Sequence, residues 1–364
     1  MTARHLAGLG RDRSPDPTVI DLRSESCGPL TDEVRDALAQ PCHGVDTYDE
    51  DASVHELEAY LADLFGVRQA LFVPTGRMAN LIAASVLCPP DGEILLDPWA
   101  HMLKAEYGSL SNLLGRQTRT YASRDGVLDA DGVLRLVRTS HTTRPTRLVC
   151  IEDPHIGFGG MPQPAAEVER LTRELRNLDV ASYCDGARMW YLNSDARTPW
   201  TFYGSLYDGL TVSLVKGPGA PVGAVTLFRG EHRAEAIEVR RALGGGWARP
   251  GAFANAALTA LQSRLGRLAE DCDRADRLAV QLVDQLGADA VSCHINMVEI
   301  RIADSSLFFQ RCRELGVLLF RPEPQRVRAV LHQGIDDDAV DRAANVILKV
   351  AASMAMTAKG VSQG

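Results

Sequence analysis

No apolar run in this 364-residue sequence is long enough to span a bilayer, which excludes a helical membrane protein. A secretory signal is missing as well: the opening MTARHLAGLGRDRSPDPT has no apolar core, and residues 1–18 read as a flexible tail. The eight cysteines, at 27, 42, 88, 150, 184, 272, 293 and 312, form no CxxC and no metal-ligand spacing. No metal centre is therefore expected, and the thiols read as the reduced cysteines of a cytoplasmic protein. Basic excess is absent too. Thirty-nine Lys and Arg against 47 Asp and Glu leave a net charge of −8, which disfavours nucleic acid as a partner. Neither repeats nor low-complexity tracts interrupt the chain.

The composition that remains, 45% hydrophobic and 24% charged, is that of a globular protein with room for a main and a smaller domain. Short apolar runs alternate with helical patterns from about residue 53 to 225. SVHELEAYLADLFG reads as a helix, with Ser53 as N-cap and Glu56 closing a capping box. QALFVPTG is a strand and turn ahead of the helical RMANLIAASVLC, and EILLD, TRLVCIED and VASYCD are further short strands. Buried strands separated by helices predict an α/β fold: a large domain, 19–255, whose mostly parallel sheet is covered by helices on both faces. From 256 to 364 a long linking helix leads into a smaller C-terminal α/β domain. There HINMVEIRI and RVRAVLH read as strands, with helices at 305–315 and 336–354, the latter opened by Asp336, Asp337 and Asp338.

In such sheets ligands gather beyond the carboxyl ends of the strands. Those ends carry the turn Thr75-Gly76-Arg77, His101, His155, Asp185 and, after the apolar LTVSLV, Lys216. A lone lysine there is either a solvated loop residue or an amine kept uncharged to attack a carbonyl carbon. The set as a whole fits pyridoxal phosphate. Lys216 would anchor the cofactor and Asp185 would pair with the pyridinium nitrogen. The N–H groups of Gly76 and Arg77 at a helix start would hold the phosphate, and His101 would stack on the ring.

The motifs and their order resemble the L-threonine aldolases of the β-eliminating lyase group, pyridoxal-phosphate enzymes of fold type I with an aspartate-aminotransferase-like fold. The likeness runs from DLRSES to about residue 260 and continues weakly to RVRAVLH. GVDTYDEDASVHELE is similar to the family's GDDVYGEDPTVNRLE, and FVPTGRMANL to FVPTGTMANL. DGAR matches DGAR, VKGPGAPVG is similar to SKGLGAPVG, and RALGGG to RKMLGGG. The resemblance implies Lys216 as the Schiff-base lysine, Asp185 on the pyridine nitrogen and His101 on the ring face. It places His155 at the substrate's β-hydroxyl, Arg188 near the cofactor oxygen and substrate carboxylate, and Arg328 as the carboxylate clamp. Ser24 lies near the substrate. It also implies a homodimer or homotetramer with shared active sites and a small amino-acid substrate.

Four departures from the family pattern fall at the site. Arg77 replaces a threonine, Val215 a serine, and EDPH stands for ENTH. The arginine that reaches a neighbouring subunit's phosphate falls on Ala248, with Arg249 one place later. Arg77 would then supply charge to the phosphate. The resemblance implies cleavage of a β-hydroxy-α-amino acid to glycine and an aldehyde, or the reverse. β-Elimination, racemisation or transamination in the same scaffold, and a non-catalytic cofactor-binding protein, remain open alternatives.

Overall fold

The computed structural model describes residues 19–140 and 142–361; the expected tail, 1–18, lies outside the described residues. The described residues form twelve strands: β1 (Ile20–Asp21), β2 (Gln69–Val73), β3 (Glu93–Leu96), β4 (Gln117–Thr120), β5 (Thr146–Glu152), β6 (Ala181–Gly186), β7 (Gly209–Ser213), β8 (Ala224–Phe228), β9 (Val291–His294), β10 (Met297–Arg301), β11 (Val317–Leu318) and β12 (Arg326–Val330). Seven of them make one sheet in the order β2-β8-β7-β6-β5-β3-β4. All its pairings are parallel except those of β8, which runs antiparallel to both β2 and β7.

Successive residues of the central strands enter two separate cores. Val149 and Ile151 pack on one side with the helices Ala52–Phe65, Ala165–Asn177 and Gly251–Arg264. Leu148 and Cys150 pack on the other with the helices Gly76–Leu87 and Arg233–Ala242. Burial on both faces is why these strands read as unbroken apolar runs rather than alternating ones. The edge strand β4, QTRT, is partly exposed and carries no such run, so the sequence reading passed over it.

Two local expectations are corrected. The helix Ala52–Phe65 is capped by Asp51, not Ser53, because the Asp51 carboxylate accepts from both Ser53 N–H (3.1 Å) and Val54 N–H (3.3 Å). HINMVEIRI is not one strand. It folds at Ile295-Asn296 (φ of Ile295 49°) into the hairpin β9–β10, which β12 extends to a three-stranded antiparallel sheet.

The helices Leu268–Leu286, Ser305–Glu314 and Asp337–Val361 cover that sheet around a third core. Ile20 and Leu22 belong to this core, and β1 pairs with β11. The first described residues therefore lie on the C-terminal unit, although the sequence division at 255/256 groups residues 20–22 with the large domain. No described helix is long and apolar enough to cross a membrane.

Candidate active site

The parallel register sets the site. Glu152 lies opposite Asp185 across β5 and β6, and Gly186 lies opposite Val212 across β6 and β7. Asp97, His155, Asp185 and Lys216 thus leave adjacent strands at the same edge of the sheet. Lys216 follows β7 by three residues, its N–H and that of Val215 both donating to Ser213 Oγ. Gly217 takes φ +92° with Trp190 packed beside it, a turn that a side chain at 217 would strain. Burial and the nearby Arg188 bring the Lys216 amine down to about 8, toward a free nucleophilic form at neutral pH.

Asp185 is buried and held on both oxygens. Asn80 Nδ2 donates to Oδ2 (2.9 Å) and Ala187 N–H to Oδ1 (3.2 Å). Asn80 also donates to Glu106 Oε1 (2.7 Å), and its own carbonyl accepts from Tyr183 OH (2.6 Å). His101 Nδ1 lies 2.9 Å from Glu106 Oε1. Burial lowers the His101 imidazole, but Glu106 and Asp185 outweigh it and leave the ring more basic than usual. One ligand atom each of His101, Glu106 and Asp185 falls within 4.8 Å of the others. The Asn80 amide donates to both carboxylates.

Glu152 ties the loops together. Its Oε2 accepts from His101 N–H (2.6 Å) and its Oε1 from Ile156 N–H (2.9 Å). His155 is 3% exposed. Its Nδ1 accepts from Gly157 N–H (3.2 Å), and its Nε2 is 3.3 Å from Asp97 Oδ1. Burial works against its protonation, yet Asp97 and Glu152 push its titration above the ordinary histidine range. Asp153, beside it, is raised to about 7 by burial.

Two buried arginines sit where the units meet. Arg188 forms a bidentate pair with Glu25 (2.7 and 2.8 Å), whose Oε1 also accepts from Asn296 Nδ2 (3.0 Å). Arg188 Nη1 makes no hydrogen bond among the described residues. Arg328 donates through Nη1 to Ile156 O (3.0 Å) and lies over the Phe320 ring, while its buried Nε has no partner. Burial and Arg188 lower Arg328 to about 10.

The remaining expected residues lie further out. Thr75 caps the helix Gly76–Leu87, accepting from Met78 N–H (3.2 Å); the N–H groups of Gly76 and Arg77 have no intrahelical acceptor. Arg77 is exposed, its guanidinium 5.5 Å over the exposed Tyr107 ring. Ser24 accepts from Ser26 N–H and adjoins Glu25. Arg249 is exposed on the segment whose Ala248 carbonyl accepts from Asp46 N–H, and no described contact joins it to the strand ends. Sequence reasoning missed Glu25, Asn80, Asp97, Glu106 and Glu152. Asn80 carried a signal, since it is polar inside the apolar run ANLIAA and proves fully buried.

The beta-eliminating lyase model matches residues 21–304. The chain is 32% identical over 328 residues to low-specificity L-threonine aldolase 1 of Arabidopsis thaliana, covering 87% of this chain and 92% of that protein. It is also 32% identical over 291 residues to the low specificity L-threonine aldolase of Escherichia coli strain K12, covering 79% and 86%. Among solved structures, Leishmania major threonine aldolase superposes with a TM-score of 0.78 at 16% identity, over 91% of this chain and 99% of that one. Sphingomonas wittichii serine palmitoyltransferase superposes at 0.72 and 16% identity, over 93% and 88%. The fold is thus shared with enzymes of other names, and it is the family match over most of the chain, with the identity to the two aldolases, that assigns this chain to the beta-eliminating lyase family.

Proposed function

We propose that this protein is a pyridoxal-phosphate-dependent lyase that cleaves the Cα–Cβ bond of a β-hydroxy-α-amino acid to glycine and an aldehyde, or runs the reverse reaction. The observation that carries this reading is the convergence of Lys216, Asp185, His101, His155 and Arg328 at one edge of the sheet, in a chain so similar to low-specificity L-threonine aldolases.

The residues present suit the cofactor. Lys216 offers an amine already lowered to about 8. Nothing lies within 4 Å of the Cβ that Gly76 lacks, so the helix start is open to a phosphate. Asp185, fastened by two donors, is ready to accept a pyridinium N–H. When bound, pyridoxal phosphate supplies the electron sink for the pair left at Cα.

The protein does the rest. Arg328, with its buried Nε unspent, takes the substrate carboxylate, and Arg188 Nη1 adds a second donor. His101, backed by Glu106, covers one face of the site. His155 accepts the β-hydroxyl proton through Nδ1, the nitrogen on the Glu152 and His101 side, the hydroxyl replacing Gly157 N–H at that lone pair as the Cα–Cβ bond breaks and the carbonyl forms. Arg77, at the helix start, adds charge toward the phosphate. Exposed Arg249 fits a role in a neighbouring subunit's site, hence a homodimer or homotetramer with shared sites. The eight free cysteines suit the cytoplasm.

The test is a panel of β-hydroxy amino acids incubated with purified holoenzyme, measuring glycine, aldehyde and keto acid. Glycine and aldehyde in equal amounts without any keto-acid acceptor are expected. Conversion of the cofactor to its pyridoxamine form, with no aldehyde from any substrate, would replace this reading with transamination.

A further inference from the structure

His155 is gripped from two sides. Because Gly157 N–H donates to Nδ1, the neutral ring carries its proton on Nε2. Nε2 faces Asp97 Oδ1 at 3.3 Å, and both side chains are almost wholly buried. Asp97 is itself aimed: Oδ1 accepts from Trp99 N–H (2.7 Å) and Oδ2 from Ser123 N–H (3.2 Å). Those two bonds, one to the segment before His101 and one beyond β4, fix the carboxylate plane.

Beside the pair is a cavity of about 10 Å³ whose lining includes Asp97, Ser123, His155 and Gln163 together with Leu128 and Ile151. Ser123 Oγ and His155 Nε2 are both buried without a well-aligned partner. A space of that size suits one water, and these atoms are the partners such a water needs.

We propose that Asp97 is a positioning residue for the aldol cleavage, holding His155 Nε2–H directly or through one water in this cavity, so that Nδ1 is presented to the substrate hydroxyl. The inference rests on the reading of His155 as the group that takes the β-hydroxyl proton. In that step Nδ1 gives up its bond from Gly157 N–H, the substrate O–H bond breaks and the proton goes to Nδ1. The oxygen pair forms the carbonyl, and the Cα–Cβ pair goes to Cα. The resulting imidazolium keeps its Nε2–H toward the Asp97 carboxylate, which offsets the new charge inside a buried site. Other ionisable groups face the ring. Glu152 Oε2 is 3.9 Å from Nδ1, Asp153 precedes it in the chain, Asp185 lies on the neighbouring strand, and Tyr121 stands across the cavity. Glu152 stands on the Nδ1 side of the ring and Asp97 Oδ1 on the Nε2 side, so Asp97 is the carboxylate placed to hold Nε2.

The test uses holoenzyme and a β-hydroxy amino acid that it cleaves, with kcat and KM followed against pH for Asp97→Asn, Asp97→Glu and His155→Asn. Asp97→Asn is expected to lower kcat at least tenfold, with KM and the cofactor absorption unchanged. Its acidic limb should move to lower pH, because the imidazole loses its counter-charge. Asp97→Glu is expected to recover part of kcat and to keep the native limb, and it carries the pH test alone if the Asn protein does not fold. Loss of cofactor together with kcat, or a pH profile unmoved by Asp97→Asn, would reduce Asp97 to a structural residue. If His155→Asn retained full kcat, the role assigned to His155 would itself fail. A slow His155→Asn beside a native Asp97→Asn would overturn the Asp97 inference alone.

Discussion

Glu25→Gln removes one charge while keeping the side chain's shape, and it probes the contact that joins the two units at the site. Burial alone would raise the Glu25 carboxyl, but Arg188 and Asn296 more than reverse that and bring it from 4.5 to about 2. The folded protein therefore holds this proton more weakly than the unfolded chain does. The resulting stabilisation is fully present above pH 4.5 and is lost as pH falls through about 2. The size of the shift corresponds to about 3 kcal/mol at neutral pH. The same interaction seen from Arg188, buried without its counter-charge in the variant, typically costs about 3–5 kcal/mol, in line with that figure. Urea unfolding of both proteins from pH 7 downward reads the difference directly, and other carboxylates cancel in the comparison. It should be about 3 kcal/mol at pH 7, shrink below pH 4.5 and nearly vanish by pH 2. A difference under about 1 kcal/mol at pH 7, the level of an exposed pair, would refute the reasoning. So would one that stayed constant down to pH 2.

Lys216 should capture pyridoxal phosphate in cofactor-free protein with a midpoint near pH 8, since its amine is released as pH rises through that value; a stopped-flow midpoint above 10 would contradict the burial argument. Arg328→Gln should raise KM for the amino acid by roughly tenfold or more, as loss of a charge-assisted bond does, and leave the cofactor absorption unchanged. His101→Ala should loosen the cofactor and alter its spectrum. His155→Asn should keep the cofactor and slow turnover on the order of a hundredfold, so equal, mild effects in both assays would return the two histidines to structural roles.

The strand ends were legible because each is a local pattern, an apolar run followed by Gly, His, Asp or Lys. Local signals also marked the helices Ala52–Phe65 and Gly76–Leu87. What escaped was set by distance along the chain. Glu25 meets Arg188 across 163 residues, and Asn80 meets Asp185 across 105. A glutamate in DLRSES has no feature that marks it as buried until the C-terminal unit closes over it. The cap at Asp51 rather than Ser53 was a contest between neighbouring acceptors, which the carboxylate won with two bonds. The β9–β10 hairpin was hidden because its turn, Ile295-Asn296, lacks the glycine that usually announces one. Likewise β1 is only two residues long and owes its place to β11, 297 positions later at Ile20–Val317.

Borohydride reduction of the holoenzyme, followed by peptide mapping, tests the central claim most directly. The chain holds four lysines, Lys104, Lys216, Lys349 and Lys359, so the adduct's position discriminates cleanly. A single pyridoxyl adduct on the peptide carrying Lys216, absent from a folded Lys216→Ala protein, is the predicted result. An adduct on any of the other three lysines, or undiminished labelling of Lys216→Ala, would contradict the account.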